Sequence, residues 1–231
     1  MTTDWIDGWK GAAHDWARRQ AWGMHFLLNI FHVQPTDRVL DLGCGPLCLG
    51  SGLIAYLDPG HYTGVDRDPV LLDAGRALLR HKGLESKAPT LVCTNDLSTV
   101  TLGPVYDVIW SHSVLIHMDP ATVQTALDCI ARHLAPGGTA YFTLNLGPHK
   151  ILGEWTFGPN YQHPVPEHPC LTIEPLALLS ALGDTVWCPP DSGMQATMLR
   201  ATRTPHVLDG QRVAAQPAHA GQTHGRAPSP V

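Results

Sequence analysis

Val39-Leu40-Asp41-Leu42-Gly43-Cys44-Gly45-Pro46 carries the chain from a short apolar strand straight into a glycine turn. Two glycines one residue apart let the backbone turn sharply and let a ligand approach it closely. Working outward, residues 38–42 read as a strand, 47–57 as a helix and 61–65 as a second strand. Residues 69–81 form a second helix, with Pro69 in the first helical position that proline favours. Residues 90–94 and 106–111 are the third and fourth strands. A helix at 121–134 follows Pro120, Pro136-Gly137-Gly138 is a turn, and 139–146 is the fifth strand. After a connection spanning residues 147–173, the pattern predicts a helix at 174–182 and strands at 184–188 and 194–202. Strands joined by helical segments imply an α/β domain with a parallel sheet covered on both faces. The last two strands have no helix between them, which predicts an antiparallel hairpin at one edge of a seven-stranded sheet.

The 231 residues suffice for one full-sized domain. Charged residues make up only 15%, and the formal net charge is −5. A protein that binds nucleic acid through phosphates carries a basic excess or stripe, so that class is disfavoured. No stretch reaches 18 uninterrupted apolar residues, so no membrane span is expected. The six cysteines contain no CxxC spacing, which argues against a zinc site and for reduced thiols in a cytoplasmic protein. No metal ligand set is evident. Residues 1–35, with four of the seven tryptophans, read as a helical cap; 36–203 form the α/β domain; and 204–231, rich in Gly, Pro and Ala, read as a disordered tail.

The strand ends carry the chemistry. Asp66 closes the second strand 21 residues beyond Gly45, where a carboxylate can accept hydrogen bonds from both hydroxyls of a ribose. Asn95 and Asp96 close the third strand, within reach of an adenine edge. These ends lie side by side at the carboxyl edge of a parallel sheet, the usual ligand crevice. A nicotinamide dinucleotide is the competing reading. Its GxGxxG fingerprint is broken here, because Cys48 stands where the third glycine belongs and Gly50 comes late. Pro46 also lacks one of the amides that would hold a pyrophosphate.

Five segments in order, DLGCGP, TGVDRDP, CTNDLS, YDVIWSHSVLIHM and LAPGGTAYFTL, resemble the motifs of class I S-adenosylmethionine-dependent methyltransferases over roughly residues 36–203. The resemblance implies a Rossmann-like three-layer sandwich and S-adenosylmethionine (SAM) as cofactor. It places Asp41, Gly43 and Gly45 against the methionine part, and Asp66 with Arg67 at the ribose. Asn95, Asp96 and Leu97 fall at the adenine, and Ser111 at the end of the fourth strand. Arg19 and Trp22 of the N-terminal segment are further candidates, as a carboxylate clamp and an aromatic cap over the sulfonium.

The acceptor side is less determined. His112, just beyond the fourth strand, has the ordinary pKa of a general base. Asn145 ends the fifth strand, and Tyr161 and His163 lie in the long connection; together with His112 they are the catalytic candidates. His117 reads as structural. The Asn/Asp-Pro-Pro-aromatic run of amino-methylating DNA enzymes is missing, and so is a carboxylate set for a metal-dependent catechol-type enzyme. The expectation is methyl transfer to a small molecule of specialised biosynthesis, with oligomeric state open. Two alternatives stand beside it. One is attack on the aminobutyrate carbon of SAM, releasing methylthioadenosine through cyclisation to azetidine-2-carboxylate or aminocarboxypropyl transfer. The other is a non-catalytic SAM-fold partner subunit.

Overall fold

A computed structural model describes residues 13–155, 158–176 and 196–204. Residues 1–12 of the expected cap, 177–182 of the expected helix, the strand at 184–188 and the tail beyond 204 lie outside these residues.

The helix α1 (Ala13–His25) runs on through a π-helical turn at Phe26–Ile30 and reaches β1 (Val39–Leu42). Then come α2 (Gly50–Tyr56), β2 (Tyr62–Asp66), α3 (Pro69–His81), β3 (Thr90–Cys93), β4 (Tyr106–Ser111) and α4 (Pro120–His133). The chain continues through β5 (Leu134–Leu146), β6 (Lys150–Trp155), β7 (Gly158–His163), β8 (Leu171–Pro175) and β9 (Ala196–Arg203). Local chemistry explains the helix starts. Asp68 accepts a hydrogen bond from Val70 N at 2.8 Å, with Pro69 in the first turn. Asp119 does the same for Ala121 N and Thr122 N ahead of Pro120. Both are side-chain N-caps followed by a preorganised proline.

Strands β2, β1, β4 and β5 follow one another in parallel, with β3 outside β2. On the far side of β5, β9 runs antiparallel to it and β8 antiparallel to β9. The path β3-β2-β1-β4-β5-β9-β8 is thus the expected mostly parallel sheet with an antiparallel pair at its edge. All four residues of β1 are buried, as the centre of a sheet covered on both faces requires. One core joins Leu40, Leu42 and Ile109 to Leu127 and Ile130 of α4. The opposite core joins Val39 and Val108 to Leu53, Leu72 and Phe26.

Three expectations are corrected. At residues where a helix was expected from 174, the last strand pairs with β8. Its Leu171-Thr-Ile-Glu run has the β-branched pair and alternating burial of an edge strand, so Glu174 and Pro175 lie in a strand rather than opening a helix. Arg200 and Glu174 form an ion pair across β9 and β8. The helix expected from residue 47 starts only at Gly50, because Leu47 is buried with φ +64°, a left-handed conformation that no helix tolerates. Pro46 therefore sits in the loop, not at the helix start.

The third correction shapes the site. The long connection is not an irregular loop: β6 and β7 form an antiparallel hairpin. At Asn145, β9 occupies one edge of β5 through Ala196, and β7 pairs in parallel with the other through Gln162. That second edge is the one β4 used as far as Ser111, which pairs Phe142. Strand β5, 13 residues long, thus overshoots β4 and carries the hairpin above the carboxyl edge of the sheet.

Candidate active site

The strand ends and the hairpin enclose a cleft of about 1040 Å³. This is the upper end of what small-molecule sites span, roughly 300–1,000 Å³, and leaves room for two ligands side by side.

One half is built by β1, β2 and β3. Gly43 N and Cys44 N both donate to Val65 O, at 2.8 and 3.0 Å, stapling the glycine turn to β2. Gly43 has φ +80°, and a Cβ there would lie 2.3 Å from Val114 Cγ2. Gly45 has φ +52° and no protein atom within 4 Å of where its Cβ would be. The first glycine is demanded by packing; the second leaves open space over the turn. Asp66 accepts from Gly45 N at 2.8 Å through Oδ2 and from Asp68 N at 2.9 Å through Oδ1. These bonds fix the carboxylate at the cleft wall, with lone pairs left for two ligand hydroxyls. Asp41 is 4% exposed and lies under the turn, where Tyr62 Oη donates to its Oδ2 at 2.8 Å. Burial, opposed by this bond and reinforced by the charge of Asp66, pushes its carboxyl up to about 7. Arg67, Asn95, Asp96 and Leu97 also line this half. The carboxylate of Asp96 is held by its own turn: Ser98 N donates at 2.8 Å and Thr99 Oγ1 at 2.7 Å. The bonds from Ser98 and Thr99 lower its pKa to about 2, so the rim stays anionic.

The other half lies between the end of β4, the end of β5, β7, β9 and the start of α4. His112, Thr143, Asn145, Asn160, Tyr161 and Met198 contribute to its wall. His112 is half-buried between aromatic rings, 4.9 Å from the Trp22 centroid and stacked 5.7 Å from Trp110. Burial, aided by the positive charge of Arg19, lowers its pKa to about 3. Burial thus disfavours the charged imidazolium form of this ring. Asn145 is buried, and its Nδ2 donates to Tyr161 O at 3.1 Å, tying β5 to the hairpin. Thr143 Oγ1 accepts from Ser113 N at 2.8 Å and holds the turn after β4.

Arg19 and Trp22 reach the cleft from α1. Their helix is anchored by Gln20 Nε2, which donates to Cys48 O and Ser51 Oγ, both at 2.8 Å. Two expected site residues are placed elsewhere. Ser111 is fully buried and its hydroxyl donates to Leu42 O at 3.0 Å, so it joins β4 to β1 instead of facing a ligand. His163 is 3% exposed and is not part of the cleft wall. Burial lowers its pKa, and it packs near His149 and Tyr161. Thr143 was missed as a site residue. Thr143 was findable, since it lies two residues before Asn145 and strand side chains two apart share a face. No group of three or more potential metal ligands occurs among the described residues.

A sequence profile described as a methyltransferase domain matches residues 40–140, the segment that builds the turn, Asp66 and the fourth strand. Over these residues the chain resembles the class I SAM-dependent methyltransferase superfamily. This methyltransferase-fold chain is 28% identical over 138 residues to an uncharacterised methyltransferase of Schizosaccharomyces pombe, covering 58% of this chain and 48% of that protein. It is 26% identical over 148 residues to ribosomal RNA small subunit methyltransferase C of Pseudomonas aeruginosa, covering 57% and 43%. It thus spans less than half the length of either relative. Among solved structures, magnesium protoporphyrin IX methyltransferase of Synechocystis with bound S-adenosylhomocysteine superposes with a TM-score of 0.55 at 16% identity. That match covers 83% of both chains and concerns the fold.

Proposed function

We propose that the chain transfers the methyl group of SAM to a small-molecule acceptor, as a step of specialised biosynthesis. The observation that carries this reading is the division of one cleft into two chemically distinct halves. The half at β1–β3 fits the cofactor: Asp66 presents a fixed carboxylate for the ribose hydroxyls, Gly45 leaves its turn open, and Asn95 to Leu97 lie beyond for the adenine. Arg19 is in reach of a carboxylate, and Trp22 and Trp110 supply aromatic faces that attract a cation. The half at β5, β7 and β9 is walled mainly by neutral side chains under the hairpin.

SAM, when bound, supplies an electrophilic methyl carbon on a sulfonium. The residues' work is then to hold the acceptor close to that carbon, in line with the carbon–sulfur bond and shielded from water. Asn145, Asn160 and Tyr161 position it, and Met198 with the hairpin excludes water. A nucleic-acid acceptor is disfavoured by the net charge of −5 and by a cleft whose only Arg or Lys among the described residues are Arg19 and Arg67.

The test is mass spectrometry of the purified protein with SAM, alone and with an acceptor panel. SAM alone stays intact while binding is confirmed, and S-adenosylhomocysteine accumulates only with an acceptor. Enzyme-dependent methylthioadenosine from SAM alone would overturn methyl transfer in favour of attack on the aminobutyrate carbon.

A further inference from the structure

Thr143 and Asn145 stand two residues apart near the end of β5, share a face of the strand, and both line the cleft. Asn145 is held on several sides. Its backbone pairs with Ala196 of β9 and Gln162 of β7, and its Nδ2 donates to Tyr161 O at 3.1 Å. A carbonyl oxygen takes only a donor, so this bond fixes which end of the amide is which and leaves Oδ1 on the other side. Asn145 Oδ1 accepts no hydrogen bond from the described residues. Three polar atoms of the hairpin are also unpaired, Asn160 Oδ1, Gln162 Oε1 and His163 Nε2, but these are sealed inside the protein. Asn145 Oδ1 is not sealed: it keeps accessible surface at the cleft wall, in a residue only 4% exposed as a whole. Thr143 beside it is engaged, accepting from Ser113 N.

The acceptor half is also poor in charge. Among the described residues that line it, Asp119 is the one Asp, Glu, Lys or Arg, and its carboxylate is occupied by Ala121 N, Thr122 N and Thr122 Oγ1. Arg19 and Arg67 are taken by the cofactor in the reading above. A carboxylate or phosphate on the acceptor would therefore be desolvated here without a partner, which is costly.

Resting on the methyltransferase reading above, we propose that Asn145 is the specificity-determining residue of the acceptor half, its amide oxygen anchoring an uncharged acceptor through an O–H or N–H of that molecule. The oxygen can only accept, so it holds a group that donates and gives nothing to one that is methylated or can only accept. The two flanking strands and Tyr161 O fix the amide before the acceptor arrives, so little side-chain freedom is lost on binding. The anchor positions the molecule and takes no proton from it.

The test uses the full chain saturated with S-adenosylhomocysteine, titrated by ligand-observed NMR. The probes are two matched pairs, phenol with anisole and indole with 1-methylindole, together with benzoate. Phenol and indole bind about fivefold more tightly than their methylated counterparts, the worth of one neutral hydrogen bond. Benzoate binds more weakly than phenol. A preference in the phenol pair alone assigns the anchored group to a hydroxyl, and in the indole pair alone to an N–H; either supports the proposal. In Asn145→Ala the preference vanishes while S-adenosylhomocysteine affinity is unchanged. Loss of the bond to Tyr161 O lowers Tm in that variant, as a purely structural role also would, and the vanished preference separates the two. Equal binding within both pairs by the wild type overturns the proposal, and so does failure of every probe to bind at millimolar concentration; both results are read without the variant. A preference that survives in Asn145→Ala overturns it too, as does benzoate binding at least as tightly as phenol. Failure of S-adenosylhomocysteine to bind in the same samples would instead sink the methyltransferase reading itself.

Discussion

Replacing Asp41 by Asn tests how the glycine turn is supported. Asp41 is 4% exposed beneath the turn, and its carboxyl is raised from 3.8 to about 7, chiefly by burial. Between those values the folded chain holds a proton on Asp41 that the unfolded chain has lost. Stability from this group is complete below pH 3.8 and falls as pH rises through about 7. At ~1.4 kcal/mol per pH unit across that window, the loss amounts to about 4 kcal/mol. Asn cannot ionise, and its amide oxygen still accepts the Tyr62 hydroxyl. The Asn variant and the wild type should therefore be equally stable near pH 4, with the variant pulling ahead by about 4 kcal/mol at pH 8. Urea denaturation of the ligand-free protein, followed by tryptophan fluorescence from pH 4.5 to 8.5, reads the difference directly. A gap between the two proteins that stays constant with pH, or a variant that is less stable at pH 8, would refute the reasoning.

Asp66→Ala removes the carboxylate assigned to two ribose hydroxyls. Since a hydrogen bond to a charged group is worth about 1.5–3 kcal/mol, SAM affinity by calorimetry should fall at least about a hundredfold, and unchanged affinity would contradict the assignment. Gly43→Ala places a methyl 2.3 Å from Val114 Cγ2 at φ +80° and should cost roughly 2–4 kcal/mol by denaturant titration. Val114→Ala in the same chain should recover only the steric part; full recovery would mean that the backbone conformation costs nothing. Ser111→Ala should lower stability by about 1 kcal/mol while SAM affinity stays as in the wild type, because its hydroxyl serves Leu42 O rather than a ligand. The pH profile of kcat/KM should show no limb near 6.5 that disappears in His112→Ala. Such a limb would show that His112 retains an ordinary basicity and works as the base.

The cofactor half was readable from the sequence because its determinants are local. The apolar run before Gly43, the glycines themselves and Asp66 at the end of β2 each act within a few residues of their own position. The N-caps Asp68 and Asp119 were similarly plain, each beside a proline. What failed depended on distant partners. Leu47 looks like a helix former, yet its left-handed conformation is imposed by burial in the core beside Leu53 and Leu72. The surroundings of His112 were equally hidden, since Trp22 and Arg19 arrive from a segment some ninety residues away in sequence. Ser111 carries the right residue type at the right strand end, but alternation along β4 turns it inward to Leu42 O. The hairpin β6–β7 was hidden because its pairing is fixed by the overhang of β5, and nothing in residues 150–163 announces which strand edge will be free.

That overhang has an evolutionary consequence. The hairpin hangs from one strand and contributes no residue to the carboxylate and glycines of the opposite half. Its sequence is consequently free to drift, lengthen or be exchanged with only weak penalty to cofactor retention. One scaffold can in this way be retuned to new acceptors by altering a single appended module. The same modularity makes residues 150–163 the natural segment to randomise when a different acceptor is wanted.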